Sequence, residues 1–193
     1  MNTQSRLQRT LQVLFITGIS IFALAPAYAA DADKVTAENY VRAESDLQMK
    51  LWIETLDNFG KFHHNREPYE EKRVTVRGNQ DTFYSFGTFD LTSPLTITLP
   101  DPKGRYQSLM TISQDHSIVA YYGPKTVTLT PDVVGTRYVF LTIRTFANPN
   151  DEQDMKEAQR LQDAVKVEQA DIGKFETPNW NKEVKSILGK RNI

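Results

Sequence analysis

Apolar side chains recur at helical spacing between Thr36 and Phe59, at Tyr40, Val41, Leu47, Leu51, Trp52, Leu56 and Phe59, with Arg42, Glu44, Asp46, Lys50 and Glu54 outside the stripe. The spacing predicts an amphipathic helix over about 36–59, capped by Thr36, with Glu38 in its first turn and Gly60 as its stop. After Gly60 the period falls to two. Thr82 to Leu91 is β-branched and aromatic, and Leu95, Ile97 and Leu99 alternate with Thr96 and Thr98, so both stretches read as strands. Asp101, Pro102 and Gly104 carry type I turn chemistry, which predicts a hairpin from the Leu95 strand into one over Arg105 to Ser113. Turn clusters at Tyr122–Lys125 and Thr130–Asp132 bracket a short strand at Val127 to Leu129. The strongest strand pattern is Tyr138 to Phe146. Val139, Leu141 and Ile143 share one face and Tyr138, Phe140, Thr142 and Arg144 the other, so both faces are expected to be covered.

Asn148 to Asp151 ends the strand region and opens a second helix over about 151–168, with Met155, Ala158, Leu161, Gln162 and Val165 as its stripe. A linker with Gly173 and Pro178 leads to a third helix over about 181–189 and a basic tail of Lys190 and Arg191. Strands that are not interleaved with helices predict an α+β, mainly β fold. The expected form is an antiparallel β-sandwich or jelly-roll-like core over about 62–146, with an N-terminal helix and C-terminal helices. A length of 193 residues suits a single domain, expected over 30–193.

Composition refines this picture. Hydrophobic residues make up 39% and charged residues 24%, a globular balance. A net charge of −1 leaves no basic footprint for a phosphate backbone, so nucleic acid is not an expected partner. The absence of cysteine removes disulfides, thiolate catalysis and Cys-ligated zinc. Arg6 and Arg9 precede an apolar run from Leu11 to Ala25, and Ala27, Tyr28 and Ala29 supply a cleavage site. Residues 1–29 therefore read as a signal peptide cut near Ala29. The run is too short to span a bilayer, so membrane contact is expected only through the leader before cleavage. The mature protein is expected in the periplasm or secreted.

Several segments together resemble one family: Asn65 to Pro68, Asn79 to Ser85, Phe89 to Leu91, Asp115 and His116, Gly135 to Tyr138, and Leu161 to Ala164. The chain is similar over about Val35 to Trp180 to the domain-of-unknown-function (DUF) family 1254 of exported bacterial proteins. The resemblance implies a β-sandwich core and no particular function. Longer relatives join this domain to a companion domain, DUF family 1214, that has no counterpart here. A site completed by that half would be missing or supplied by a separate subunit. Gln80 stands where the family leads one to expect a basic residue, which weakens an anion site in that turn.

The candidate chemistry lies close to these segments. His63, His64 and His116 with Asp81, Glu67 or Asp115 are the only metal-ligand candidates. Adjacent histidines in an extended chain point to opposite faces, and the spacing fits no zinc pattern, so neither a metal nor a cofactor is expected. Ser85 with His116 and Asp81 or Asp115 has the residue types of a catalytic triad, but the chain holds no Gly-x-Ser-x-Gly elbow. Asn79 and Asp81 read as turn chemistry at a strand entrance. Arg137 and Arg144, in or beside an apolar strand, are expected to pair with Asp81, Asp90 or Asp115, with anion binding as the alternative. Tyr84, Phe86, Tyr121, Tyr122 and Tyr138 belong either to the core or to a pocket for an apolar or sugar-like ligand. The leading expectation is a non-catalytic exported β-sandwich that binds a small ligand or a partner protein, with His63, His64, Arg66, Tyr84, Tyr122, Arg137 and Arg144 as binding candidates. The alternatives are a hydrolase or metal-dependent enzyme using His116 with Asp81, Asp115 and His63 or His64, and a subunit that pairs with itself or with a separate second β domain.

Overall fold

The β-branched and aromatic stretches become strands in the computed structural model, which describes residues 33–67 and 79–181. The elements are α1 (Tyr40–Leu56), β1 (Phe62–His64), β2 (Thr82–Asp90), β3 (Leu95–Leu99), β4 (Gln107–Ser113), β5 (Ile118–Tyr122), β6 (Lys125–Leu129), α2 (Pro131–Val134), β7 (Tyr138–Phe146), α3 (Glu152–Asp163) and β8 (Lys166–Gln169). A five-stranded sheet has the order β1-β2-β7-β4-β5 and a three-stranded sheet the order β6-β3-β8. Neighbouring strands run antiparallel throughout. The fold is thus α+β and mainly β, with helices at both ends of the described chain. No helix among the described residues is long and apolar enough to cross a membrane.

The middle of the larger sheet is the β2–β7 pair, in register from Thr82 opposite Phe146 to Asp90 opposite Tyr138. The inner face of this sheet carries Phe89, Leu109, Val139, Leu141 and Ile143. They pack against Leu95, Ile97, Leu99, Val127 and Leu129 of the smaller sheet, forming one core cluster. Between the sheets the chain buries Leu and Ile in preference to aromatics, while Phe83 packs separately with Ala147, Ala158 and Met155 under α3. The outer face of the larger sheet is partly covered by α1, whose Trp52 stacks on Phe86 and Phe140 at 5.2 and 5.9 Å.

The structure departs from the sequence-based expectations in four places. The predicted β3–β4 hairpin does not form: β3 is flanked by β6 and β8, and β4 by β7 and β5. The turn itself is present, with Asp101 accepting from Lys103 N at 2.9 Å. However, Lys103 and Gly104 both adopt left-handed backbone, and the chain crosses to the other sheet. The helix predicted over 151–168 ends at Asp163, and β8 follows as an edge strand on β3. α1 begins at Tyr40, after Asn39 rather than Thr36, and ends at Leu56, where Asp57 takes the left-handed conformation expected of Gly60. Its predicted stripe is also rotated. Val41 and Leu51 are exposed, whereas Ala43, Met49 and Asp46, placed outside the stripe, are buried. The predicted leader over 1–29 lies outside the described residues, as do 182–189 of the third predicted helix.

Polar contacts explain the rotation of α1. The Asp46 carboxylate, 1% exposed, accepts from Gln114 Nε2 at 2.5 Å and from Trp180 Nε1 at 2.9 Å. Gln114 Oε1 in turn accepts from Tyr138 N, so the helix is fastened to the end of β7 through one buried amide. A second buried carboxylate, Asp90, accepts from the Arg137 guanidinium, with NH2 to Oδ2 at 2.8 Å, and from Thr92 N and Lys174 N. Burial alone would raise the pKa of Asp90. The Arg137 donation and the backbone N–H groups outweigh that effect and hold it below the ordinary carboxylate range. The chain passes over Asp90 at Gly173, where φ is +67° and a Cβ would fall within 3.0 Å of three Asp90 atoms. Tyr138 Oη then donates to Lys174 O at 2.8 Å and accepts from Glu176 N, strapping residues 173–176 across the sheet end.

Replacing Gly173 by Ala combines a left-handed backbone with a collision against a charged, paired carboxylate. The expected loss is about 1–3 kcal/mol of stability, read as a lower urea midpoint with an unchanged slope. Asp171→Ala, which removes only an exposed turn contact to Gly173 N, is expected to cost less.

Candidate functional site

The period of two that sends Leu141 and Ile143 inward sends Arg144 outward, onto the face that α1 shares. Arg144 lies opposite Tyr84 of β2 on one side and Ser108 of β4 on the other. Its guanidinium carbon sits over the Tyr84 ring at 5.6 Å and the Tyr106 ring at 6.0 Å. Tyr106 donates from its hydroxyl to Ser108 Oγ at 3.0 Å and meets Tyr122 edge-on at 6.2 Å. Tyr122, directly opposite Ser108 on β5, is 61% exposed. Arg144 makes no ion pair among the described residues, and its Nε is buried without a hydrogen-bond partner. An arginine is held between aromatic faces here, with no acceptor for its donors among the described residues.

The aromatic surface continues along the strands. Tyr84 stacks with Phe86 at 5.7 Å, Phe86 with Phe140 at 5.9 Å, and Trp52 covers both phenylalanines. Beyond them lies a cavity of about 180 Å³ between α1 and the sheet, lined by Ser45, Gln48, Met49, Trp52, Ile112, Ser113, His116 and Phe140. His116 reaches it from the β4–β5 turn with a left-handed backbone, φ 60°, its N–H bonded to Ser113 O.

The catalytic set drawn from the sequence is not brought together. Asp81 precedes β2 and His116 follows β4, at opposite ends of the sheet, roughly 24 Å apart along the strands given about 3.4 Å per residue. Asp115 pairs with Arg42 of α1 at 2.7 Å, and Asp81 accepts from Thr82 Oγ1. Ser85 does meet a histidine, but it is His64: Nδ1 and Oγ are 2.7 Å apart across the β1–β2 pair. The Ser85 hydroxyl also accepts from Gln162 Nε2 at 3.1 Å, and the residue is 0% exposed. A nucleophile needs an approach path. Ser85 is buried beneath α3, where Gln162 further donates to Asn65 O and Tyr84 O, while His64 is half-buried.

The remaining candidates separate by partner. Arg66 is consumed by Gln159 O, Gln162 Oε1 and Asp163 Oδ1, the last at 2.5 Å. Arg137 is consumed by Asp90, as an ion pair with one of the carboxylates expected for it. His63 lies opposite Phe86 and so belongs to the outer face, one strand from Tyr84. Glu67 is an exposed end residue of the first described segment. No group of three or more His, Asp and Glu among the described residues is arranged to hold a metal ion. Sequence reasoning passed over Tyr106 and Met49 and placed Trp52 only in the apolar stripe of the first helix. Tyr106 has the same parity as Ser108, Met110 and Ile112 along β4, and that parity was the available signal.

Burial depresses the pKa of His64, and the nearby Arg66 charge depresses it further. The unfolded chain, with an ordinary histidine near 6.5, therefore binds more protons than the folded one as the solution is acidified. The contribution of His64 is fully present above that value and is lost as pH falls toward the folded pKa. His64→Gln is expected to flatten the rise of the urea midpoint as pH increases toward about 6.5. It is also expected to cost about 1 kcal/mol at pH 7 from the lost Ser85 contact.

The comparisons with known proteins follow the fold and carry no function. No match is found among curated proteins. Among solved structures, the crystal structure of the VPA0106 protein from Vibrio parahaemolyticus is similar at 19% identity and a TM-score of 0.48, covering 72% of this chain and 39% of that one. The chain thus spans about two fifths of that protein's length. A family model described as "Protein of unknown function (DUF1254)" matches residues 59–134, the stretch from the end of α1 to α2, and supports the family that the sequence segments resemble.

Proposed function

We propose that this chain is an exported, non-catalytic binding protein whose site is the outer face of the five-stranded sheet, with Arg144 as the group that recognises an anionic ligand. The observation that carries the reading is a cation set among Tyr84, Tyr106 and Tyr122 with no carboxylate partner among the described residues. Arginines that serve the fold are spent on protein acceptors, as Arg137, Arg66 and Arg105 are. Arg144 keeps its planar fork for an external acceptor, and the rings limit its motion and partly desolvate it. Export is supported by Arg6, Arg9, the apolar run from Leu11 to Ala25 and the small residues at Ala27 and Ala29.

The test uses benzoate and its uncharged amide. Benzoate is expected to raise the unfolding temperature of the full chain in proportion to the logarithm of its concentration, and benzamide is not. Arg144→Gln is expected to weaken benzoate binding roughly 10- to 100-fold, the range for a charged hydrogen-bond pair. Its own stability should change by less than about 1 kcal/mol, because only ring contacts are lost. Equal responses to benzoate and benzamide, or an undiminished response in the variant, would overturn the assignment.

A further inference from the structure

Arg144 and the cavity beside α1 lie on the same face of the same sheet, and the surface between them is apolar. Moving from Arg144 toward Phe140 along β7, the next cross-strand row on this face holds Phe86, Thr142 and Met110, with Ala120 beyond. The row after that holds Phe140, Ile112 and Ile118, and there the cavity opens beneath Met49 and Trp52. Phe140 and Ile112 line it directly. From the row of Arg144 to the row of Phe140 is four residues, about 13 Å of strand. From β2 to β5 these two rows carry no Asp, Glu, Lys or Arg; His63 of β1 flanks Phe86 at the far end of the first, and buried Thr88 sits beside Phe140 in the second.

Resting on the anion-binding reading of Arg144, we infer that the ligand is a linear amphipathic monocarboxylate. Its head lies at Arg144, and an aliphatic tail of about ten carbons lies across Met110, beside the Trp52-covered Phe86, into the cavity lined by Met49, Trp52, Ile112 and Phe140. Two features select this chemistry. A single guanidinium with no second cation on the same row balances one negative charge, whereas a phosphate monoester would leave charge uncompensated on an aromatic surface. The cavity, at about 180 Å³, exceeds the roughly 150 Å³ that admits a benzene-sized apolar group, and Met49, Trp52, Ile112 and Phe140 offer a chain end contact rather than hydrogen bonds. Ser45, Gln48, Ser113 and His116 also line it and keep it open to water when no chain is present.

Trp52 reports on the cavity, since it stacks on Phe86 and Phe140 and is one of two tryptophans in the chain. Its fluorescence is followed while the full chain is titrated with the series acetate, hexanoate, octanoate, decanoate and tetradecanoate, all below micelle formation. A Trp180→Phe background removes the second signal. Affinity is expected to rise roughly tenfold for each two added methylenes up to about ten carbons and then to level, because longer chains find no further apolar surface. Arg144→Gln is expected to weaken decanoate by at least about tenfold while leaving 1-decanol unaffected. Ile112→Trp, which fills the cavity, is expected to abolish the chain-length dependence and to leave benzoate binding intact. If that variant fails to fold, the chain-length series on the unaltered chain decides the matter alone. Benzoate binding with no gain from acetate to decanoate would overturn the tail path and leave the anion site standing. No response to any carboxylate would overturn both. Decanol binding as tightly as decanoate, undisturbed in Arg144→Gln, would overturn the head assignment.

Discussion

The rest of the structure depends on the register between β2 and β7. These two strands pair along their whole length at the centre of the larger sheet, so their register decides what faces the smaller sheet and what faces α1. A slip of one residue would turn Phe83, Ser85 and Phe89 outward and present Tyr84 and Phe86 to the interior. On β7 the same slip would push Arg144 between the sheets, where an unpaired guanidinium is far costlier than any aromatic contact could offset. The arginine that looks most like a ligand group is therefore also one reason why the sheet has a single register.

Where the two faces end, buried carboxylates and amides take over from apolar packing. Asp46 reaches through Gln114 to β7, and Gln162 of α3 touches β2 and the segment after β1. Arg105 and Asp154 join the start of β4 to α3 at 2.5 Å; the Arg105 fork and Asn148 N hold the pKa of Asp154 down at about 2. Helices α1 and α3 are thus oriented by polar groups that have a single geometry of satisfaction. In a chain without cysteine, such contacts do what a cross-link does elsewhere: they choose one docking angle among the several that a shallow apolar stripe would permit.

This division explains what was legible in the sequence. β3, which alternates strictly, and β2 and β7, rich in β-branched and aromatic residues and buried on both faces, could be read directly, because burial demands such composition locally. Which sheet a strand joins is not written locally. The Asp101–Gly104 turn has hairpin chemistry, yet β3 already has two neighbours, and the chain leaves for the other sheet. β8 was hidden because Lys166, Glu168 and Gln169 are polar and follow a helix without a break, and only pairing with β3 makes them a strand. The stripe of α1 was misplaced for a related reason: Asp46 looks like a solvent residue until Gln114 and Trp180, distant in sequence, are placed beside it. The candidate site was half legible. Tyr84, Tyr122 and Arg144 were in view as separate residues, but their convergence follows from the order β2-β7-β4-β5, which no single strand contains.

Partnership, rather than residue type, separates the structural polar groups from those free to act. Ser85 and His64 have the chemical identity of a catalytic pair, but Ser85 is fully buried and their hydrogen bonds end on Gln162 and on each other, so their arrangement favours the closed state of the fold. Arg144 has no acceptor among the described residues, yet it is confined too, because its guanidinium lies over two tyrosine faces. A side chain held by its face loses its conformational freedom during folding rather than during binding, so on the proposed reading an anion would meet a fork already ordered. The same rings would partly desolvate the contact and strengthen the interaction. Aromatic residues on an outer sheet face, which burial alone would place in the interior, are accounted for by that double role.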